Sequence, residues 1–134
     1  MIKSIKTSEA NRGIVADLTN KLGMGPENII ARIAFAYSIS LGRKLDLSHM
    51  RDSKGKEYSS KVLFGEYQEL YLAIICQHYE INIMNFDIPR YVKMHIDDGL
   101  ELISEIISSN PNLPVFDFVL DLVEPGLALL VNSQ

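Results

Sequence analysis

The 134-residue sequence predicts a mainly α protein, about five helices in one compact bundle over residues 1–134, behind a short N-terminal segment of strand character. Three observations predict it. Apolar residues recur at three- and four-residue intervals through most of the chain, the period of one helix face. Glycine and proline stand where each of these patterns stops. The one segment of strand character, residues 1–7, does not alternate cleanly, since Ile2 and Ile5 are three apart.

In chain order, Ser8 is placed to cap a first helix running to about Leu22, with Ile14, Val15, Leu18 and Leu22 as its apolar stripe. Gly23-Met24-Gly25 stops it, and Pro26 suits the first turn of a second helix to about Leu41. There Ile29, Ile30, Ile33, Ala34 and Tyr37 lie on one side, with Phe35 and Ile39 on another. A helix apolar nearly all round belongs at the centre of a domain or at a subunit interface. Arg43 to Ser60 reads as a long polar loop without sustained periodicity. A third helix is expected from Phe64 or Glu66, its buried stripe being Tyr67, Leu70, Tyr71, Ile74, Ile75 and His78. Asp87 is placed to cap a fourth helix, with Pro89 in its first turn. Val92, Ile96, Leu100, Ile103 and Ile107 give that helix the cleanest pattern in the sequence. A short fifth helix is expected from Val115 to Glu124, edged by Asp117, Asp121 and Glu124, then a turn at Pro125-Gly126 and an apolar end, Leu127 to Val131.

Composition bounds the function. The single cysteine, Cys76, excludes an intramolecular disulfide and suits a reduced compartment. The N-terminus lacks an apolar signal core, and no run is long enough for a membrane span, so a cytoplasmic domain without membrane contact is expected. The net charge of −4 is unevenly distributed. Residues 1–61 carry eleven Lys and Arg against six acids, and residues 62–134 carry two against eleven. A chain divided in this way can offer one face to a polyanion.

No phosphate-binding loop, dinucleotide fingerprint, paired cysteines or nucleophile elbow is present. His95 with Asp97, Asp98 and Glu101 is the best candidate metal set, His95, Asp98 and Glu101 being three apart on one helix edge. The plainer reading of them is a histidine beside the acids of a solvated face. The residues therefore give no catalytic assignment, no metal and no cofactor. The basic set is more informative. Arg43, Lys44, Arg51, Lys54, Lys56 and Lys61 fall within one loop, in the residue types that contact phosphates, with Tyr58 and Phe64 nearby as candidate stacking rings. Phe64 is more naturally core.

Four segments then stand together: Pro26 to Ala34 (PENIIARIA), Asp52 to Tyr58 (DSKGKEY), Leu63 to Tyr67 (LFGEY) followed by Tyr71 and Ala73, and His95 leading into Gly99 to Leu102 (GLEL). In order and spacing they resemble the DndE-like DNA sulfur-modification proteins, over residues 1 to about 107. Residues 108–134 lie beyond the resemblance. It implies a small, mainly helical, non-catalytic member of a bacterial DNA phosphorothioation system, in which sulfur replaces a non-bridging phosphate oxygen. Sulfur activation in such a system belongs to other proteins, among them a cysteine desulfurase, an iron–sulfur protein and an ATPase. The implied partners are duplex DNA, with nicked duplex suggested as a preferred form, these other system proteins, and copies of the chain itself, a tetramer favoured. The family's start is also similar to ribbon-helix-helix proteins. That similarity supplies one alternative, a transcriptional regulator reading bases with residues 2–7. Two others are an assembly subunit that meets DNA only within a complex, and a nicking enzyme built on His95.

Overall fold

The computed structural model describes residues 2–109 apart from Met24. The expected fifth helix and apolar end therefore lie outside the described residues. The elements are β1 (Ser4–Lys6), α1 (Ala10–Leu22), α2 (Glu27–Ser40), β2 (Glu57–Ser59), α3 (Ser60–Phe64), α4 (Gln68–Tyr79) and α5 (Ile88–Ser109). The class is mainly α, as expected. Among the described residues no helix is long and apolar enough to cross a membrane.

The centre of the fold is the crossing of α2 and α5. No residue of α2 is exposed, which is what its apolar circumference requires. Ala31, Ala34, Phe35 and Ser38 of α2 are fully buried, as are Val92, Ile96 and Leu100 of α5. The two backbones meet at Gly99, where a Cβ would stand 1.9 Å from the Ala34 carbonyl oxygen. α4 adds an aromatic cluster. Phe64 stacks on Tyr71 at 4.6 Å between centroids, and Phe35 meets Tyr71 edge-on at 5.5 Å.

β1 pairs antiparallel with β2 in the register Ser4↔Ser59, Ile5↔Tyr58, Lys6↔Glu57. Ile5 and Tyr58 face the core, while Ser4, Lys6, Glu57 and Ser59 face outward. The pairing corrects three sequence expectations. The 43–60 segment is not structureless, since it contains a 3₁₀ turn at Leu47–His49 as well as β2. Tyr58 is 2% exposed and cannot stack on a base. The partner of the N-terminal strand belongs to the same chain, whereas a ribbon-helix-helix dimer pairs this strand with its copy. Strand pairing depends on contacts more than fifty residues apart, which periodicity within a short segment does not report.

Residues 60–79 hold two helices, the short α3 lying ahead of the helix expected from Phe64 or Glu66. Gly65 takes φ 59°, ψ −135°, a conformation open to glycine, and a 3₁₀ turn at Gly65–Tyr67 re-aims the chain into α4. Ser59 caps α3 by accepting the Val62 N–H at 3.2 Å. At its other end, Arg32 donates to the carbonyls of Val62 and Leu63, and Asn28 donates to Val62. Of the expected stripe Tyr71, Ile74 and Ile75 are buried; Tyr67, before α4, is exposed, and Leu72 is buried in addition.

Candidate nucleic-acid interface

The start of α1 is fixed from a distance. Ser8 does not cap it with its hydroxyl, as its position suggests; Ser8 is buried and its backbone N–H donates to Asp97 Oδ1 at 3.0 Å. Glu9 N–H donates to Asp52 Oδ1, also at 3.0 Å. The amides of Glu9 and Lys54 hold the Asp52 carboxyl below the usual carboxylate range. Gly55 donates to Thr7 O at 2.9 Å and lies so close that a Cβ would stand 2.1 Å from Ser8 O. The basic loop is thus tied across the end of α1 and the ribbon.

The six loop cations do not form one patch. Arg43 grips Asp98 of α5 with two bonds, at 2.7 and 3.0 Å. Arg51 pairs with Glu101, and Lys56 with Glu27. Lys44 donates to His78 O and lies over the Tyr79 ring at 5.7 Å. Lys44 and Arg51 border a groove of about 490 Å³ that Asp46, Asp97, Asp98 and Glu101 also line, so charges of opposite sign stand together there. A polyanion gains little at such a surface. Lys54 and Lys61 differ: both are exposed, and among the described residues neither has an acid partner.

Three cations outside the expected set join these two. Lys3 and Lys6 are exposed on β1 and its approach, again without an ion pair among the described residues. Glu57, opposite Lys6, is held by Ser4 Oγ at 2.8 Å. Arg12 donates to the carbonyls of Gly55 and Lys54, at 3.0 and 3.4 Å, and among the described residues its charge has no acid partner. Lys3 accepts the Ser60 N–H, which sets Lys61 beside Lys3 at one end of the ribbon. Lys54 and Arg12 stand at the other end, with Lys6 between. These five exposed cations lie on the ribbon and at its two ends. The available signal in the sequence was the acid-free start of the chain, Met1 to Ser8.

The His95 group is not a metal site. His95 is fully buried, its Nδ1 2.7 Å from Ser38 Oγ and its Nε2 2.5 Å from Tyr79 Oη. Ser38 donates to Asp98 at 2.6 Å and Tyr79 Oη accepts the Leu45 N–H at 3.0 Å. Each group is satisfied when His95 Nδ1–H donates to Ser38 and Nε2 accepts from Tyr79. Asp98 and Glu101 are occupied by Arg43 and Arg51. The picture of a histidine on a solvated face is equally corrected, because α5 is buried on nearly every side around it. Among the described residues no three His, Cys, Asp or Glu side chains are placed to hold a metal. Burial pushes the Cys76 thiol up, away from a nucleophile's range.

Burial, with smaller repulsion from His78 and Arg43, pushes the His95 pKa from 6.5 down to about 3. Below pH 6.5 the unfolded chain takes up a proton at His95 that the folded chain refuses, so stability falls as pH drops from about 6.5 toward about 3. One proton corresponds to about 1.4 kcal/mol per pH unit. Urea titrations across this window are expected to show that slope in the native chain and a shallower one in His95→Gln.

Taken together, the fold and this surface define a small helical protein that presents a cationic two-stranded ribbon beside a neutralised groove. The chain belongs to the DndE family: the model for DNA sulphur modification protein DndE matches residues 4–110. A crystal structure described as DndE from Escherichia coli B7A, involved in DNA phosphorothioation modification, is similar with a TM-score of 0.62 and 17% identity. That match covers 75% of this chain and 97% of the other. At this identity it reports the fold. No curated protein sequence matches the chain.

Proposed function

We propose that this chain is a non-catalytic, cytoplasmic DNA-binding subunit of a DNA phosphorothioate modification system. It holds the backbone of duplex DNA, nicked duplex included, and works as an oligomer beside the iron–sulfur protein and ATPase that activate sulfur. The supporting observation is the set of exposed cations on and around the β1–β2 ribbon that have no acid partner among the described residues. Lys3, Lys6, Arg12, Lys54 and Lys61 contribute contacts that carry affinity and little sequence information. Repetition by symmetry turns one modest set into useful avidity. Arg43, Arg51 and Lys56 hold the loop in place through their acid partners and act on DNA indirectly.

Five phosphates engaged per copy correspond to a log–log salt slope of about −4.5 for duplex DNA. Charge reversal at Lys6, Lys54 and Lys61 is expected to remove most duplex affinity and to flatten that slope by about one for each phosphate no longer neutralised. Lys44→Gln is expected to leave both nearly unchanged. Mobility-shift titrations at several salt concentrations check this. Equal affinity in the triple variant and the native chain would overturn the proposal.

A further inference from the structure

The turn between α4 and α5 leaves three large apolar side chains outside: Ile83, Met84 and Phe86 are 56%, 83% and 86% exposed. Met84 and Phe86 stand almost free of the body, and exposed apolar surface of this kind marks a contact site. Side chains within the turn hold its backbone. Asn82 Oδ1 accepts the Met84 N–H and Asn85 Oδ1 the Asp87 N–H, each at 2.8 Å.

The charge around the turn indicates what it meets. No acid lies between Glu80 and Asp87, and Asp87 is paired with Arg90 at 3.1 Å. Ile2 lines the same apolar groove, of about 390 Å³, as Met84 and Phe86. Lys3 follows Ile2, so the Cα of an exposed cation lies about 3.8 Å from that of a groove residue. Lys61 stands beside Lys3, since the Ser60 N–H donates to Lys3 O at 3.0 Å. Neither lysine has an acid partner among the described residues. The projecting side chains thus adjoin one end of the cationic ribbon. Apolar side chains beside unpaired cations suit a stacked polyanion, whose phosphates take the charge and whose base faces take the apolar contact. Two copies joined patch to patch about a two-fold axis would instead bring the same cations toward each other.

We infer that Phe86, with Met84 beside it, is a wedge that enters the base stack of a duplex held by Lys3 and Lys61. The inference rests on the DNA-binding reading and adds to it a selectivity for DNA structure, which phosphate contacts do not supply. Entering an intact stack costs the unstacking of one step. A nick lowers that cost, and a one-nucleotide gap lowers it further, because room for one ring is already open. Affinity is then ordered gapped over nicked over intact duplex.

Titrations of the full chain with intact, nicked and one-nucleotide-gapped duplexes of one sequence test the wedge. Phe86→Ala is expected to weaken binding to the gapped duplex about tenfold, the scale of one base–aromatic contact, and to draw the three affinities together. The log–log salt slope is expected to stay unchanged, because Phe86 neutralises no phosphate. Phe86→Trp is expected to keep the ordering. The sequence has no other tryptophan, so its emission reports the patch, and gapped duplex is expected to quench it. At 86% exposure the side chain is not part of the core, so both variants are expected to unfold in urea as the native chain does. If the native chain binds duplex and Phe86→Ala matches it on all three, the wedge is overturned and the DNA reading stands. Failure of the native chain to bind any of the three overturns both. Tryptophan emission that shifts blue with protein concentration, without DNA, assigns the patch to a second copy and overturns the inference.

Discussion

Alanine at Gly99 is expected to destabilise the fold by about 3 kcal/mol or more, the upper part of the range for overpacking. Its Cβ would stand 1.9, 2.4 and 2.7 Å from the carbonyl oxygen, carbonyl carbon and Cα of Ala34. Those are backbone atoms of the neighbouring helix, so no rotamer change relieves the clash. α2 and α5 must separate, and their crossing is the centre of the core. The same substitution at Gly13, within α1, meets nothing within 4 Å. There alanine is expected to stabilise by up to about 1 kcal/mol, through helix propensity and a less flexible unfolded chain. Urea unfolding of the two variants checks the pair. Equal and small effects would show that the α2–α5 crossing adjusts freely.

Asp97→Ala is expected to cost about 3–5 kcal/mol, the range for removing one partner of a buried ion pair. Asp97 and Lys93 are 4% and 5% exposed and lie 2.8 Å apart, one turn from each other on α5. Asp97 Oδ1 also accepts from Ser8 N–H and, at 2.7 Å, from Asn11 Nδ2. Alanine leaves a buried ammonium without its counter-charge and unties the start of α1 from α5. The double variant Lys93→Met with Asp97→Asn keeps an acceptor for Ser8 and removes both charges, so it is expected to be more stable than Asp97→Asn alone. A double-mutant cycle measures the difference. Because the junction also anchors Asp52 and Gly55, the single variant is expected to weaken duplex binding although Asp97 is buried.

These two predictions concern residues that reading the sequence for function treated differently. Gly99 entered as part of a family-like segment, and its actual role, letting two helices touch, depends on a carbonyl 65 positions earlier. Asp97 and His95 stand among acids on a helix whose apolar residues already supply a stripe, so the polar ones were assigned to solvent. α5 is instead surrounded by α2, by the start of α1 and by the loop after α2. Lys93, His95 and Asp97 are buried, and His95 and Asp97 bond to groups from other elements, Ser38, Tyr79, Ser8 and Asn11.

The basic loop shows the same division. Its excess of Lys and Arg was legible, and so was an attachment to buried structure at Leu63 and Phe64. Which cations remain available was not, because the acids that neutralise Arg43 and Arg51 lie on α5, about fifty positions later. The strand pairing that aligns Lys3 and Lys6 with Lys54 and Lys61 was equally invisible, since neither three-residue strand has a pattern of its own.

By itself the sequence determined the helical class, four helices close to their observed limits, the stops at Gly23 and Gly42, and the basic character of the first half. All of these follow from local preferences, the 3.6-residue period and the conformations open to glycine and proline, which act over one or two turns. The tertiary structure alone decided which charges are cancelled, which polar groups are buried, and where two helix backbones touch. Those are pairings between distant segments, set by how the faces of whole helices meet, and no local pattern encodes them.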